Sequence, residues 1–291
     1  MVVTSRTVRT SHGDIAISES AGERLPVLMI HGNSSCKEVF SKQLEGTPGK
    51  EFHVIAMDLP GHGASSPAID PARTYSMPGY ADAAIELLEN IGISSAAVCG
   101  WSLGGHIGME MLGRFAGMAG LMISGAPPVG PEIESIQQGF LEGPAIGLSW
   151  QEKWTEEEFQ AFSDFVFGQL NEPELREAGR RTDGAARRYL MESLMAGHAA
   201  DERLLVRQAD VPIAVVNGAN DPIANVRYIG DIPYGNLWDK HCFMLRGVGH
   251  LPFREVPNVF NALLGRFLAE VESRKRAQGG RAVSRAKTNA A

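Results

Sequence analysis

The chain has 291 residues, of which 44% are hydrophobic and 21% charged, as is typical of a globular protein with a sizeable apolar core. Its net charge is −7, yet six of its 27 basic residues lie in 274–291, a segment without acidic residues. Residues 1–273 therefore carry 34 acidic against 21 basic side chains. This balance argues against nucleic-acid binding, because phosphate contacts need clustered Lys and Arg.

Apolar runs and cysteines bear on the compartment of the protein. No stretch reaches the roughly 18 consecutive apolar residues that a transmembrane helix needs, and residues 1–14 are too polar for a secretory signal. Cys36, Cys99 and Cys242 are widely separated, which argues against a disulfide framework and against a cysteine-based zinc site. We therefore expect a cytoplasmic protein without a membrane partner.

Short apolar runs recur along the chain, and each ends at a turn marked by glycine or a polar residue. Residues 6–10 and 15–18 predict an opening hairpin around 11–14. The later runs lack polar alternation, which is typical of strands buried on both faces of a parallel sheet. These predicted strands are 27–30, 54–57, 96–99, 121–123, 213–216 and 242–245.

Helical patterns separate the predicted strands. Apolar residues recur at helical spacing in 81–90, 103–115 and 256–271. Alternation of buried strands with helices predicts an α/β fold with a mostly parallel, doubly wound sheet.

The alternation stops between residues 127 and 207, a segment that holds 8 of the 21 aromatic residues. Prolines mark the point where it leaves the sheet and the point where it returns. We interpret 127–207 as a helical cap over the C-terminal ends of the strands, with the core formed by 1–126 and 208–273. A separate interaction domain is the alternative, although about 80 residues are few for a core of their own. The basic tail 274–291 has few apolar residues and is predicted to be disordered.

The segment Gly100-Trp-Ser102-Leu-Gly104 follows a predicted strand and opens a predicted helix. In this context the pattern G-x-S-x-G predicts a nucleophile elbow, where the serine hydroxyl faces a pocket and the helix N-terminus faces an oxyanion. A purely structural turn is the alternative. Ser102 is therefore the candidate nucleophile.

A serine nucleophile needs a base and an acid that orients the base, here in the chain order serine, acid, histidine. Among the later histidines, His198 lies in the predicted cap and His241 at the start of a strand. His250 lies in a glycine-rich loop before the final helix and is the candidate base. Asp221 follows strand 213–216 and is the candidate acid, with capping of a following helix as the alternative.

Acyl transfer also needs hydrogen-bond donors for the developing oxyanion. The elbow supplies the backbone N–H of Leu103. The loop after strand 27–30 supplies Asn33, through its N–H and with a contribution from its side chain, and Gly32 permits close approach of the backbone. Helix capping by Asn33, Ser34 or Ser35 is compatible with this role.

Together these motifs resemble the α/β-hydrolase family over about residues 10–270, and more specifically its N-acyl-homoserine lactonases. The elbow and the HGN loop are common to many esterases, whereas the cap stretch and GNLW are more specific. The stretches that carry the resemblance are LMIHGNSS (28–35), YSMPGYAD (75–82), GWSLGGHIG (100–108), RTDG (181–184), VVNG (215–218), GNLW (235–238) and PFRE (252–255).

The resemblance implies a triad of Ser102, Asp221 and His250, with Asn33 and Leu103 at the oxyanion hole. The sequence departs from the family at two points. The acid can be Glu in such lactonases, and Asp221 reaches less far. A cap tyrosine is expected near the ester oxygen, whereas residues 159–167 contain phenylalanine as their only aromatic type.

The resulting functional prediction is hydrolysis of the lactone ring of N-acyl-homoserine lactones through an acyl-enzyme, without metal or cofactor. The partner is a small ester or lactone with an acyl chain, and both monomer and homodimer remain open. A general carboxylesterase or carbon–carbon bond hydrolase is the first alternative, and a non-catalytic ligand receptor on the same fold is the second. The predicted substrate-binding residues are Gly32, Trp101, Trp150, Trp154, Phe159, Phe162 and Tyr189.

Overall fold

The apolar runs form the strands of one sheet in the computed structural model, which describes residues 3–143, 146–170 and 172–288. Within these residues the sheet has eight strands in the order β1-β2-β4-β3-β5-β6-β7-β8. Their bounds are β1 (Thr4–Thr10), β2 (Gly13–Glu19), β3 (Arg24–Ile30), β4 (Phe52–Met57), β5 (Ala96–Trp101), β6 (Met118–Ser124), β7 (Ile213–Gly218) and β8 (Phe243–Leu245).

Helices connect the strands and cover both faces of the sheet. Short 3₁₀ turns occur at Lys37–Phe40, Ile146–Trp150, Gly168–Leu170 and Trp238–Lys240. The α-helices are α1 (Ser41–Leu44), α2 (Thr47–Glu51), α3 (Pro71–Thr74), α4 (Met77–Asn90), α5 (Leu103–Leu112), α6 (Ile133–Gly139), α7 (Glu156–Phe167), α8 (Pro173–Arg181), α9 (Gly184–Met195), α10 (Glu202–Gln208), α11 (Val226–Asp231), α12 (Pro252–Glu255) and α13 (Pro257–Thr288).

The sheet is antiparallel at one edge and parallel elsewhere. β1 pairs with β2, and β2 with β4, in antiparallel register, whereas all pairs from β4 through β8 are parallel. After β3 the chain adds β4 on one side of β3 and then returns to add β5 on the other. The loops that follow β3 and β5 therefore diverge at a topological switch point, where α/β proteins bind ligands.

Two apolar layers sandwich the sheet. On one face α4 and α5 pack through residues such as Leu87 and Ile107. On the other face α13 packs through Phe260, Leu264 and Phe267. The side chains of the central strands are buried on both faces, which confirms the inference from unbroken apolar runs.

The predicted α/β fold with a mostly parallel, doubly wound sheet is confirmed. Each predicted strand lies in an observed strand, except that β8 begins one residue later than predicted. The helix predicted for 103–115 ends earlier, at Leu112, because Gly113 forms its C-cap. Between β6 and β7 the described residues form helices α6 to α10, and the only ladder contact there is a single bridge between Phe140 and Ala224. The division into core and cap agrees with this order of elements and stays a prediction.

The C-terminal segment differs from its predicted disorder. Helix α13 runs Pro257–Thr288 and so extends through most of 274–291. Its first half packs on the sheet, and Ala, Arg, Lys and Gln further along have high helix propensity, so the helix propagates from an ordered nucleus. The predicted disorder of residues 289–291 lies outside the described residues.

We expect truncation after Ser273 to leave the fold intact. Residues 274–277 are exposed, and Arg274 and Arg276 form only i,i+4 ion pairs with Glu270 and Glu272. Pairs of this kind contribute a few tenths of a kcal/mol each. The truncated protein should melt within about 2 °C of the full chain, as measured by circular dichroism. A decrease of several degrees would show that the tail packs on the core.

Candidate active site

Ser102 lies on a sharp turn between β5 and α5, as predicted. Its backbone has φ 53 and ψ −122, a region that non-glycine residues rarely occupy. The Ser102 N–H donates to the carbonyl of Ser124 on β6 at 2.8 Å. A Cβ at Gly104 would overlap the carbonyl of Ile30 on β3, so the turn packs against both neighbouring strands only because its flanking residues are small.

The next residue, Leu103, is the first residue of α5. Its N–H has no carbonyl acceptor within the helix and lies at the positive end of the helix dipole, which favours an anion. This geometry agrees with the predicted role of Leu103.

His250 and Asp221 form a buried pair. His250 Nδ1 lies 2.7 Å from Asp221 Oδ2, and the Oδ1 atom of Asp221 accepts the N–H groups of Ile223 and Ala224. Burial by itself raises the pKa of Asp221, but His250 and these N–H groups outweigh burial and hold the pKa below its ordinary value. A charged carboxylate thus orients the imidazole. His250 Nε2 is buried and makes no hydrogen bond to any residue that the structure describes.

The other candidates lie away from the elbow. His198 is exposed in the cap segment, and His241 is exposed before β8. The helix after Asp221 begins at Val226 with Asn225 as its N-cap, so the alternative that Asp221 caps that helix is wrong.

Trp101 and Gly125 contact His250, and Asn217 holds Gly125 in place. Trp101 Nε1 donates to the His250 carbonyl at 2.9 Å, and the two rings lie 5.3 Å apart. Gly125 has φ 62, and a Cβ there would lie 2.7 Å from the His250 ring. The Oδ1 atom of Asn217 accepts the Gly125 N–H at 2.6 Å. Trp101 is buried and supports the loop of His250, and its predicted contact with substrate stays a prediction.

The loop after β3 lies against the elbow. A Cβ at Gly32 would lie 3.0 Å from the Trp101 ring and 3.1 Å from Ser102 Cβ, so this close approach favours glycine. Asn33 directly follows Gly32 in this loop. Its side chain, which was predicted to assist at the oxyanion hole, instead donates from Nδ2 to the carbonyl of Ser149 at 2.8 Å. The backbone N–H of Asn33 therefore remains the candidate donor.

Helix capping was expected to be compatible with the oxyanion role of Asn33. The short helix Lys37–Phe40 that follows has Cys36 at its N-cap and no side-chain cap. Asn33 does not cap it.

Three of the five predicted aromatic residues of the cap, Trp154, Phe159 and Phe162, form a packed cluster. Phe159 and Phe162 are buried, and the Trp154 ring lies 6.1 Å from the first and 4.7 Å from the second. Trp150 and Tyr189 are half-buried and pack against the apolar layer that holds α4 and α5. Contact of these residues, and of Gly32, with substrate stays a prediction.

Two buried histidines support the loops behind the site. His31 Nδ1 donates to the Gly32 carbonyl at 2.7 Å, and its Nε2 accepts the Leu59 N–H at 3.0 Å. Burial lowers the pKa of His31 to about 4, and burial with the neighbouring His31 ring lowers the pKa of His62 to about 3. Both rings are therefore neutral near pH 7.

A family model described as the alpha/beta hydrolase family matches residues 27–263. The chain belongs to the alpha/beta hydrolase family. Helices that are long and apolar enough to cross a membrane do not occur in the described part of this hydrolase. Likewise, its described His, Cys, Asp and Glu side chains form no group of three or more that could hold a metal ion.

Solved structures and curated proteins give closer relatives of this hydrolase. The N-acyl homoserine lactonase AidH, in a crystal structure with N-butanoyl homoserine, is 46% identical, with a TM-score of 0.89 over 92% of this chain and 97% of that chain. The pimeloyl-[acyl-carrier protein] methyl ester esterase of Nitrosospira multiformis is 26% identical over 262 residues, 86% of this chain and 96% of that protein. The esterase RhEst1 from Rhodococcus sp., at 21% identity and a TM-score of 0.73 over 93% of this chain and 100% of that chain, shares the fold. The protein is a hydrolase that acts on ester bonds.

Sequence reasoning missed two side chains of this hydrolase that support the site. Asn217 ends a strand before a glycine, and a polar residue at the carboxyl end of a buried strand was the available signal. Arg187 contacts the loop of Asn33 through Ser34. No sequence pattern separates Arg187 from Arg188 beside it.

We expect Ser102→Ala and His250→Ala to reduce ester hydrolysis at least about 1000-fold without unfolding the hydrolase. Asp221→Ala should reduce it less, because the acid acts through the histidine. Turnover of p-nitrophenyl acetate and the melting temperature are the two measurements. Near wild-type turnover by folded Ser102→Ala would contradict the serine mechanism, and full activity of Asp221→Ala would move the acid elsewhere.

Neutral burial of His31 and His62 predicts a loss of stability in mild acid. Their pKa values are depressed in the folded state, so below the ordinary value of 6.5 the unfolded chain binds more protons. The stabilisation is complete above pH 6.5 and is lost as the pH falls toward 4. Each histidine should contribute a slope of about 1.4 kcal/mol per pH unit between about pH 6 and 4.

Urea unfolding at several pH values measures this slope. His62→Asn retains a donor for the Pro60 carbonyl, which His62 Nδ1 contacts at 3.1 Å, and should flatten the slope by about 1.4 kcal/mol per pH unit. Replacement of the exposed His198 by Asn is the matched control. Parallel curves for wild type and His62→Asn would show that His62 is not held neutral.

Proposed function

We propose that the protein opens the lactone ring of N-acyl-homoserine lactones by an acyl-enzyme mechanism. The observation that carries the proposal is the 46% identity to AidH over 92% of this chain, which includes the cap segment as well as the sheet. The name of that relative specifies the substrate class. The strained turn at Ser102 and the buried pair of His250 and Asp221 support the mechanism.

In the proposed mechanism Ser102 Oγ attacks the lactone carbonyl carbon while His250 Nε2 accepts the hydroxyl proton. Asp221 stabilises the resulting imidazolium through Nδ1, at the 2.7 Å contact described above. The N–H groups of Leu103 and Asn33 donate hydrogen bonds to the carbonyl oxygen as negative charge develops on it. These donors are backbone groups and need little reorganisation during the reaction.

Collapse of the tetrahedral intermediate breaks the ring C–O bond. The proton on His250 passes to the departing alkoxide, which becomes the free hydroxyl of a ring-opened acyl-enzyme. A water molecule, deprotonated by His250, then attacks the ester that links the acyl group to Ser102. This second step releases the N-acyl-homoserine and restores the serine hydroxyl.

The cap segment contains an apolar aromatic cluster of the kind that binds an acyl chain. Phe159, Phe162 and Trp154 pack together, and Phe162 belongs to the same apolar layer as Trp101 beneath His250. Burial of a methylene group contributes roughly 0.8 kcal/mol, so a chain of a few carbons gains useful affinity from contact with such a surface.

A general carboxylesterase is the second candidate. Two observations favour it: the similarity to methyl ester esterases, and the absence from residues 159–167 of the tyrosine expected beside a lactone ester oxygen. The same triad would hydrolyse a linear ester, so substrate preference separates the candidates.

A lactonase should prefer the tethered ester. We expect kcat/KM for N-hexanoyl-homoserine lactone to exceed that for a linear ester of equal apolar size by at least about tenfold. That ratio corresponds to about 1.4 kcal/mol of differential transition-state binding. Hydrolysis rates followed by pH indicator for both substrates provide the measurement. Equal specificity constants would favour a broad carboxylesterase.

Substitution in the cap tests where this preference originates. Phe162→Leu should lower the ratio of lactone to linear-ester activity, and it should change p-nitrophenyl acetate hydrolysis by less than about twofold because that ester is small. Phe115→Leu, which lies beyond the C-terminal end of α5, is the matched control for loss of a buried ring. An unchanged ratio in folded Phe162→Leu would remove the cap from the specificity argument.

A further inference from the structure

Arg187 is a buried cation on α9 in the cap segment, with 4% of its surface exposed. Its guanidinium forms no ion pair with a carboxylate among residues 3–143, 146–170 and 172–288, and its hydrogen-bond acceptors are two carbonyls and a hydroxyl. Burial lowers its pKa to about 10, so the side chain remains charged at neutral pH. The charges of Asp183 and Glu152 favour the charged form from a distance, but the groups that the guanidinium contacts are neutral. Burial of a charge against neutral acceptors is costly, and these contacts therefore indicate the role of Arg187.

The acceptors of Arg187 lie on both sides of a boundary. Nε and Nη2 donate to the carbonyls of Gln151 and Glu152 in the cap segment, at 2.6 and 3.0 Å. Nη1 donates to Ser34 Oγ, in the loop after β3, at 3.2 Å. One planar guanidinium thus connects the cap to the loop that carries the candidate oxyanion donor.

The connection continues through Asn33 and closes on itself. The Ser34 hydroxyl donates to Asn33 Oδ1 at 3.3 Å, and Asn33 Nδ2 donates to the carbonyl of Ser149 at 2.8 Å. From Ser149 the backbone leads to the two carbonyls that Arg187 holds. The hydrogen bonds therefore form a closed ring: Arg187 to Ser34, Ser34 to Asn33, Asn33 to Ser149, and back through 149–152.

Trp154 fixes the plane of the guanidinium within this ring. The Arg187 Cζ atom lies 3.7 Å from the centroid of the indole, a cation–π distance. Trp154 Nε1 donates to the carbonyl of Leu148 at 2.9 Å, so the indole is held by the same cap segment. A lysine would supply charge at this position but could not reproduce the planar fork.

The loop after β3, which contains Asn33 and Ser34, includes a strained backbone conformation. Ser34 has φ 51, a left-handed conformation that is unfavourable for a residue with a Cβ. Such conformations persist only where surrounding contacts stabilise them. The hydroxyl of Ser34 is held by Arg187 on one side and by Asn33 on the other, and the backbone of Asn33 lies one residue before this strained position.

We propose that Arg187 is a positioning residue, which acts through Ser34 and the side chain of Asn33 to hold the Asn33 backbone N–H at the oxyanion hole. The inference rests on the proposed serine mechanism, in which that N–H donates a hydrogen bond to the developing oxyanion. The arginine does not touch the reacting atoms. It couples the placement of the cap to the strength of transition-state stabilisation.

Arg187→Met tests this role, because methionine fills the space of the side-chain stem but cannot donate. For p-nitrophenyl butyrate we expect kcat to fall by about 10- to 100-fold with KM changed less than about threefold, since misplacement of a donor affects the transition state more than the bound ester. Arg187→Lys should recover part of kcat. Arg188→Met is the matched control: it lies one residue away, is half-buried with its ion pairs to Glu152 and Glu192, and should stay within about twofold of wild type.

Ser34→Ala breaks the ring at a single hydroxyl and avoids the risk that Arg187→Met fails to fold. It should lower kcat by about tenfold. The double variant Ser34→Ala/Arg187→Met should be no more than about twofold slower than Arg187→Met alone, because both changes break the same connection. Losses that multiply across the two sites would overturn the proposal.

Inhibition by a trifluoromethyl ketone distinguishes a positioning role from a purely structural one, because a purely structural role would leave the inhibition constant unchanged. The carbonyl carbon of the ketone bonds to Ser102 Oγ, the serine proton passes to His250, and the carbonyl oxygen becomes an oxyanion in the hole. The inhibition constant should weaken in parallel with kcat across the ring variants, while melting temperatures of Ser34→Ala and Arg188→Met stay near wild type. Unchanged ketone affinity in folded Ser34→Ala and Arg187→Lys would refute the inference.

The same measurements separate this inference from the proposed function. If Ser102→Ala retains activity, or wild type fails to hydrolyse homoserine lactones, the proposed function is wrong whatever the ring variants do. If Ser102→Ala is inactive and the ring variants keep wild-type kcat and ketone affinity, the serine mechanism stands and the positioning role of Arg187 is wrong.

Discussion

The backbone conformation of Ser102 is the constraint on which the site depends. A residue with a side chain is held at φ 53, and that single turn places the hydroxyl at the edge of the sheet while it directs the N-terminus of α5 toward the same point. A conformation of this kind costs on the order of 1–3 kcal/mol. Contacts from both neighbouring strands stabilise it, through the Ser124 carbonyl on one side and the approach of Gly104 to Ile30 on the other. The buried parallel sheet thus supports the turn that carries the candidate nucleophile.

Polar groups behind the site divide into a charged set and a neutral set, and burial explains why both are present. Asp221 stays charged because His250 and two backbone N–H groups compensate its burial. His31 and His62 lack such compensation and stay neutral, so each can offer one nitrogen as donor while the other accepts or lies unpaired. The charged carboxylate of Asp221 orients the His250 imidazole. The neutral ring of His31 fixes the backbone at Gly32 and Leu59 and adds no charge near the proposed oxyanion hole.

Local sequence signals predicted most of the core and the candidate triad. The runs that became β3, β5 and β7 are apolar on both faces, and Ser102, Asp221 and His250 each follow a strand end in the chain order that the elbow requires. Features that depend on long-range packing were not predictable. Arg187 and Arg188 are adjacent and chemically identical, yet one is buried in a hydrogen-bonded ring and the other pairs with surface carboxylates, because the helix turns them to different sides. The hydrogen bond from the indole of Trp101 to the His250 carbonyl also joins residues that are far apart in the sequence, and contact of Trp101 with substrate stays a prediction.

The two halves of the proposed oxyanion hole have supports of different origin, and this asymmetry has a physical consequence. The Leu103 N–H is fixed by α5 and the sheet, both of which lie in the core. The Asn33 N–H belongs to a loop whose side-chain contacts lead to Ser149 and, through Ser34, to Arg187 in the cap segment. A bound acyl chain that packs against Phe162 and Trp154 would contact the same cap segment to which the Arg187 guanidinium binds. Binding energy from a remote part of the substrate could in this way be expressed at the reacting carbonyl, which is the condition under which such binding raises kcat as well as affinity.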